Sequence, residues 1–247
     1  MRDVGLVFAY GMVTALATGL GALPFLSVRE ISGRTVGRLN AVASGLMLGA
    51  SFGLLAEGTR FGGWQTFIGG LVGVLFILAT NRYLREHHVH PGAAMGAEAD
   101  GIRRMVLIVT VMTVHSFAEG VAIGASFGGG MALATFITVA IAVHNIPEGV
   151  AISAVLRSHG VSVPRCAGWS IVSSLPQPLM AVPAFLFVEA FAPALPYGIG
   201  FAAGAMVFMV MLEILPEAYG KGSAREIGAI TTLSMIAMIL FQKVVAG

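Results

Sequence analysis

The feature that most constrains the fold is a repeated one: apolar stretches of about twenty residues, separated by short polar breaks, run from near Val4 almost to the end of the chain. A helix of that length matches the hydrocarbon thickness of a bilayer. Lipid admits only helices and closed barrels, because every backbone polar group must find its partner inside the protein, and the period-two alternation of barrel strands is absent here. Composition agrees. Of 247 residues, 57% are hydrophobic and 11% charged, whereas a soluble domain carries about 25% charge; the mean hydropathy is +0.89. The reading is an all-α integral membrane protein, a single transmembrane domain over residues 1–247.

Eight transmembrane helices are expected, at roughly 4–27, 36–58, 64–84, 103–126, 131–156, 165–190, 194–218 and 224–246. An even number puts both termini on one side. With the N-terminus outside, Arg29, Arg34, Arg38, Arg82, Arg85, Arg103, Arg104, Arg157, Arg165, Lys221 and Arg225 fall inside, leaving only Arg2, Arg60 and Lys243 outside. That asymmetry is what the positive-inside rule requires, so both termini are placed outside. The first stretch is longer than a signal-peptide core and has no clear cleavage site, so it counts as a span. The one long connection, residues 85–102, is read as a flexible cytoplasmic loop carrying His87, His88 and His90. Cys166 is the only cysteine, which excludes an internal disulfide or a Cys-rich metal site. No basic stripe with interleaved aromatics points to nucleic acid.

Small residues tell how such helices pack. Ala41, Gly45, Gly49 and Gly53, and likewise Gly120, Gly124 and Gly128, recur every four residues and give faces for close backbone approach. The stretches 44–58 and 203–219 share small-Gly-x-Met and Leu-x-Glu ends while running in opposite directions, as in a 3+2+3 inverted-repeat arrangement.

The chemistry lies in the polar groups inside the spans. TVAIAVHNIPEGVAISAVL, residues 138–156, buries a histidine, an asparagine, a proline and a glutamate in the fifth span; HSFAEG, residues 115–120, repeats the pattern in the fourth. Each copy reads His-x-x-x-Glu-Gly. A spacing of four places imidazole and carboxylate on one helix face about 6 Å apart along the axis. Two antiparallel neighbours would aim His115/Glu119 and His144/Glu148 at the bilayer centre. A charged side chain there costs about 2.5–3.5 kcal/mol on insertion scales, and a divalent cation satisfies two carboxylates and two imidazoles together. Pro147 removes the helical donor to the carbonyl of Val143, a further oxygen to be satisfied. Imidazole and carboxylate without thiolate suit Zn²⁺, Fe²⁺, Mn²⁺, Co²⁺ or Cd²⁺ and argue against Cu⁺.

With HNIPEG and HSFAEG on adjacent spans, both termini outside and a His-bearing inner loop, the chain resembles the ZIP (Zrt/Irt-like) metal transporters, particularly their bacterial GufA-like branch, over essentially its whole length. The resemblance implies a central site for one or two divalent cations, with His115, Glu119, His144, Asn145 and Glu148 as ligands. It adds Met47, matching a methionine that the family's second span often contributes, and Gln177, standing where many relatives carry a glutamate in the sixth span. Ser116 replaces the usual asparagine and Ala118 a frequent proline. These departures weaken the surroundings of a second ion, so one well-held ion is expected. The implied function is transport of a divalent metal ion, zinc first, into the cytoplasm by alternating access, in the bacterial inner membrane. The metal is cargo and no cofactor is expected; the partners are metal ions and the lipid bilayer, with a homodimer as an allowed assembly. An intramembrane metal-dependent hydrolase is disfavoured by the absence of His-Glu-x-x-His, and a metal-binding membrane protein that does not transport stays open. Glu57, Glu213 and Glu217 are candidates for guiding ions at the mouths of a pathway; Glu189 reads as interfacial.

Overall fold

The computed structural model describes residues 2–27, 32–87 and 97–246, all of them helical or in short connections; there is no strand among the described residues. The helices are α1 (Arg2–Leu20), α2 (Gly33–His87), α3 (Ala97–Ser126), α4 (Met131–Ser158), α5 (Val163–Ser174), α6 (Pro176–Ala190), α7 (Leu195–Met209), α8 (Leu215–Lys221) and α9 (Ala224–Ala246). Six helical stretches among the described residues are long and apolar enough to cross a membrane.

The breaks have local causes. The second and third expected spans form one element, α2, whose backbone leaves helical geometry only at Gly62 (φ 169°, ψ 103°). Its apolar stretch, Gly33–Tyr83, is 51 residues long, more than twice what one crossing needs at about 20 residues. The expected sixth span is interrupted at Leu175, since Pro176 and Pro178 both lack the N–H that would continue the helical ladder. The seventh passes through a π-helical turn at Val210–Ile214 just before Pro216; the proline ring crowds the carbonyl four residues back, and widening the turn relieves it. By contrast α4 runs unbroken through Pro147. Between α3 and α4 the chain turns in a few residues and closes on Gly130, at φ 98°, a conformation that side chains disfavour, so the two helices are antiparallel as the FGGG turn implies. The expected loop at 85–102 is shorter at both ends, with α2 running to His87 and α3 beginning at Ala97; His88 and His90 lie outside the described residues.

The helices sort into two groups. One is α2 with α7, α8 and α9; the other gathers α1, α3, α4, α5 and α6, and the two meet mainly where α3 lies along α7 and α2 along α4. Glycine faces set the spacing inside each group. Gly45, Gly49 and Gly53 lie against α9, and Gly204 against the backbone of Gly70; in the other group Gly120 and Gly124 lie against α6, and Gly149 against Thr18. An apolar cluster that includes Val7, Leu54, Ile123, Ile141, Phe185 and Met206 joins the two groups.

Candidate metal centre

His115 and Glu119 stand one turn apart on α3, and His144, Asn145 and Glu148 occupy the facing stretch of α4. All five are buried, four of them completely and Glu148 at 2% exposure. The intrahelical pair His115 Nε2–Glu119 Oε1 is separated by 3.3 Å. Across the helices, His144 Nε2 lies 2.6 Å from the same Glu119 oxygen, and His115 Nε2 lies 3.9 Å from Glu148 Oε2. One carboxylate oxygen is thus shared by two imidazoles from two helices. A ligand atom from each of His115, Glu119 and His144 falls within 4.8 Å of the others.

The arrangement is rich in unmet hydrogen-bonding capacity. Both ring nitrogens of His115, both carboxylate oxygens of Glu148, His144 Nδ1, Asn145 Oδ1 and Ser116 Oγ are buried without a hydrogen-bond partner. Buried polar groups are nearly always satisfied, and a carboxylate left without partners in a low-dielectric interior is costly. Zinc binds imidazole nitrogen and carboxylate oxygen at about 2.0–2.2 Å, which puts two donors on one ion on the order of 3–4 Å apart. The His115–Glu119 and His115–Glu148 separations are of that size, and the donor set is one that a divalent cation accepts.

Other candidate residues divide between this centre and elsewhere. Gln177, at the start of α6, reaches the centre: its side-chain N–H donates to Glu119 Oε2 at 2.5 Å. Met47 is fully buried in an apolar cluster with Leu48, Val210 and Ile214. Glu57 pairs with Arg60 at 3.2 Å, Glu217 with Lys221 at 2.5 Å, and Glu213, on the π-turn, accepts from Asn81; Glu189 is exposed. Sequence reasoning found α1 as a span but missed its contacts with this region. The carbonyl of Thr14 accepts from Asn145 Nδ2 at 3.0 Å, and Thr18 Oγ1 and Ser174 Oγ share a hydrogen bond at 2.8 Å. The signal available was Thr18, a hydroxyl on an apolar helix that needed a partner.

The fold and this cluster are those of a multi-pass helical membrane protein with a candidate centre for a divalent cation. The chain belongs to the ZIP family: the ZIP Zinc transporter profile matches residues 81–241. It is 33% identical over 233 residues to the zinc transporter ZIPB of Bordetella bronchiseptica, covering 89% of this chain and 74% of that one. It is also 33% identical over 231 residues to the zinc transporter GufA of Myxococcus xanthus, covering 87% of this chain and 91% of the relative. A protein of Arabidopsis thaliana named as a zinc transporter is 44% identical over 240 residues, which are 96% of this chain but only 38% of the relative's length.

Proposed function

We propose that this divalent-metal transporter carries zinc toward the cytoplasm by alternating access around His115, Glu119, His144 and Glu148. The observation that carries the reading is the meeting of two His-x-x-x-Glu helices with their ligand atoms buried and, in His115 and Glu148, wholly without hydrogen-bond partners. A cation completes such a site; a permanent apolar core would have no use for it. In this reading the two halves of α2 are separate crossings, and α5–α6 and α7–α8 are one crossing each. With α1, α3, α4 and α9 these make eight spans, both termini outside, related as a 3+2+3 inverted repeat. The exposed apolar residues of the second half of α2, Trp64, Phe67, Leu71 and Leu75 among them, fit a lipid-facing wall. The membrane is the bacterial inner membrane.

The ion set is one ion held by two imidazoles and two carboxylates, with Asn145 and Ser116 at its edge. The bundle of α1 and α3–α6 carries this set, so the movement that alternates access is that bundle shifting against α2 and α7–α9. The test is uptake of a panel of divalent ions into proteoliposomes, with and without a pH gradient. Zinc accumulation above protein-free vesicles is expected. Stoichiometric zinc binding in detergent with no flux in vesicles would leave a metal-binding membrane protein instead.

A further inference from the structure

Behind the ligand cluster runs an unbroken chain of hydrogen bonds that touches four helices. Asn145 on α4 donates through Nδ2 to the carbonyl of Thr14 on α1 at 3.0 Å and to Gln177 Oε1 on α6 at 3.2 Å. Gln177 in turn donates through Nε2 to Glu119 Oε2 on α3 at 2.5 Å. Every group in the chain is buried: Asn145, Gln177, Glu119 and Thr14 all have zero exposure.

The two amide orientations are forced. A backbone carbonyl only accepts, so the Asn145 nitrogen must face Thr14; a carboxylate at hydrogen-bond distance only accepts, so the Gln177 nitrogen must face Glu119. The remaining contact then matches by itself, with the Gln177 oxygen meeting the Asn145 nitrogen. Flipping either amide would set oxygen against oxygen at the Thr14 or the Glu119 end. Two consequences follow for the ligands. Glu119 has one oxygen occupied by Gln177 and only the other, Oε1, turned to the two imidazoles. Asn145 has both amide hydrogens committed, which leaves its Oδ1 a buried acceptor with no protein partner.

We infer that Gln177 is a positioning residue of the metal centre: it keeps Glu119 a one-oxygen ligand and fixes Asn145 with its carbonyl oxygen free for the ion, and it does not itself bind the metal. The sequence made Gln177 a candidate ligand; the hydrogen-bond directions give its donor group to a ligand instead. Groups that orient metal ligands typically change affinity by 10–100-fold when removed, and an effect of that size is expected here. The inference rests on the metal-transport reading of the same centre.

The experiment compares wild type with Gln177→Met, which keeps length and removes both the donor and the acceptor. Purified proteins in detergent are titrated with zinc by competition against a chromophoric chelator, and infrared difference spectra are recorded with and without zinc. The expected result is a 10–100-fold loss of zinc affinity in Gln177→Met. In the infrared spectra the separation between antisymmetric and symmetric carboxylate stretches should narrow, as Glu119 is released to chelate through both oxygens. If Gln177→Met is not recovered folded, Gln177→Leu serves: it too removes donor and acceptor and adds no carboxylate, and the same change in the Glu119 bands is expected. Unchanged affinity and unchanged carboxylate bands would reduce Gln177 to packing. A zinc-induced shift of the Gln177 amide carbonyl band in wild type, absent in Gln177→Met, would make it a ligand. Both results overturn the inference, whereas failure of wild type to bind zinc at all would overturn the functional reading beneath it.

Discussion

The two helix groups share close glycine contacts but differ in the polar groups they bury. In the group of α2 with α7, α8 and α9, the buried polar side chains among the described residues are all neutral (Asn40, Ser44, Ser51, Thr66, Thr231 and Gln242), and the helices are held by shape, with glycines pressed against backbone. In the group of α1 and α3–α6, buried imidazoles and carboxylates meet, several without protein partners. Shape complementarity is complete when the chain folds, but a charged cluster with unmet ligands becomes complete only when something enters it. The first group is therefore expected to set stability, and the second to trade stability for function.

The largest effect tests the first half of that contrast. A Cβ on Gly204 would fall on the backbone of Gly70, where no side chain can yield. Gly204→Leu should cost about 3 kcal/mol or more, at the upper end of overpacking penalties, and prevent recovery of monodisperse protein. Size-exclusion chromatography and thermal unfolding in detergent measure it; a stable variant would show that α2 and α7 are free to separate.

Glu148→Ala is the converse experiment. The side chain is buried with neither oxygen hydrogen-bonded, so its removal should bring zinc uptake to background while the metal-free protein melts no lower than wild type, and even higher. The increase in Tm on adding zinc should vanish as well. Normal uptake by this variant, or a large fall in the metal-free Tm, would break the contrast between the groups. Glu119→Ala should lose uptake too, but with a lower metal-free Tm, because Glu119 accepts from Gln177 and meets both imidazoles.

These contrasts show where the sequence was readable. The i, i+4 spacing of His115/Glu119 and His144/Glu148 is a statement about one helix at a time, and helical geometry follows directly from an unbroken apolar run. The turn at 127–130 fixes the antiparallel neighbour, so the meeting of the two pairs was legible as well. Less could be read where the outcome depends on partners distant in sequence. Gln177 was placed correctly in the sixth stretch, but an amide donates as readily as it accepts, and only the Glu119 and Asn145 contacts decide which end faces the ligand. Thr14 contributes a backbone carbonyl, which no side-chain motif announces. The kink of α2 at Gly62, where the sequence reads as a loop, the break at Leu175 and the π-turn before Pro216 are backbone adjustments. Glycine and proline signal that such adjustments occur without saying which form they take.

Acidification should act on one group and spare the other. Imidazole and carboxylate must be deprotonated to bind a cation, so lowering the pH from 7.5 to 5.5 adds protons that compete with zinc; affinity should fall, on the order of tenfold or more. No buried imidazole or carboxylate lies in the group of α2 and α7–α9 among the described residues, so the competition between protons and zinc is confined to the other group. Zinc competition titrations at the two pH values check this. Zinc affinity that does not depend on pH would argue against imidazole and carboxylate ligands.

The smallest effect separates the groups most finely, at Met47. This residue lies on α2, and its position in the second span makes it a candidate ligand from across the boundary. Its surroundings are Leu48, Val210 and Ile214, and its exposure is zero. If it serves only as an apolar filler, Met47→Leu is a volume-conserving exchange worth less than about 1.5 kcal/mol in stability, with zinc affinity unchanged. If its thioether binds the ion during transport, loss of a soft ligand should weaken cadmium more than zinc, because sulfur favours the softer metal. Paired zinc and cadmium titrations of the two proteins therefore decide whether the ion is held by one helix group alone. Equal retention of both metals would confine the ligands to α3 and α4. A selective loss of cadmium would mean that α2 takes part and that the boundary between the groups passes through the site itself.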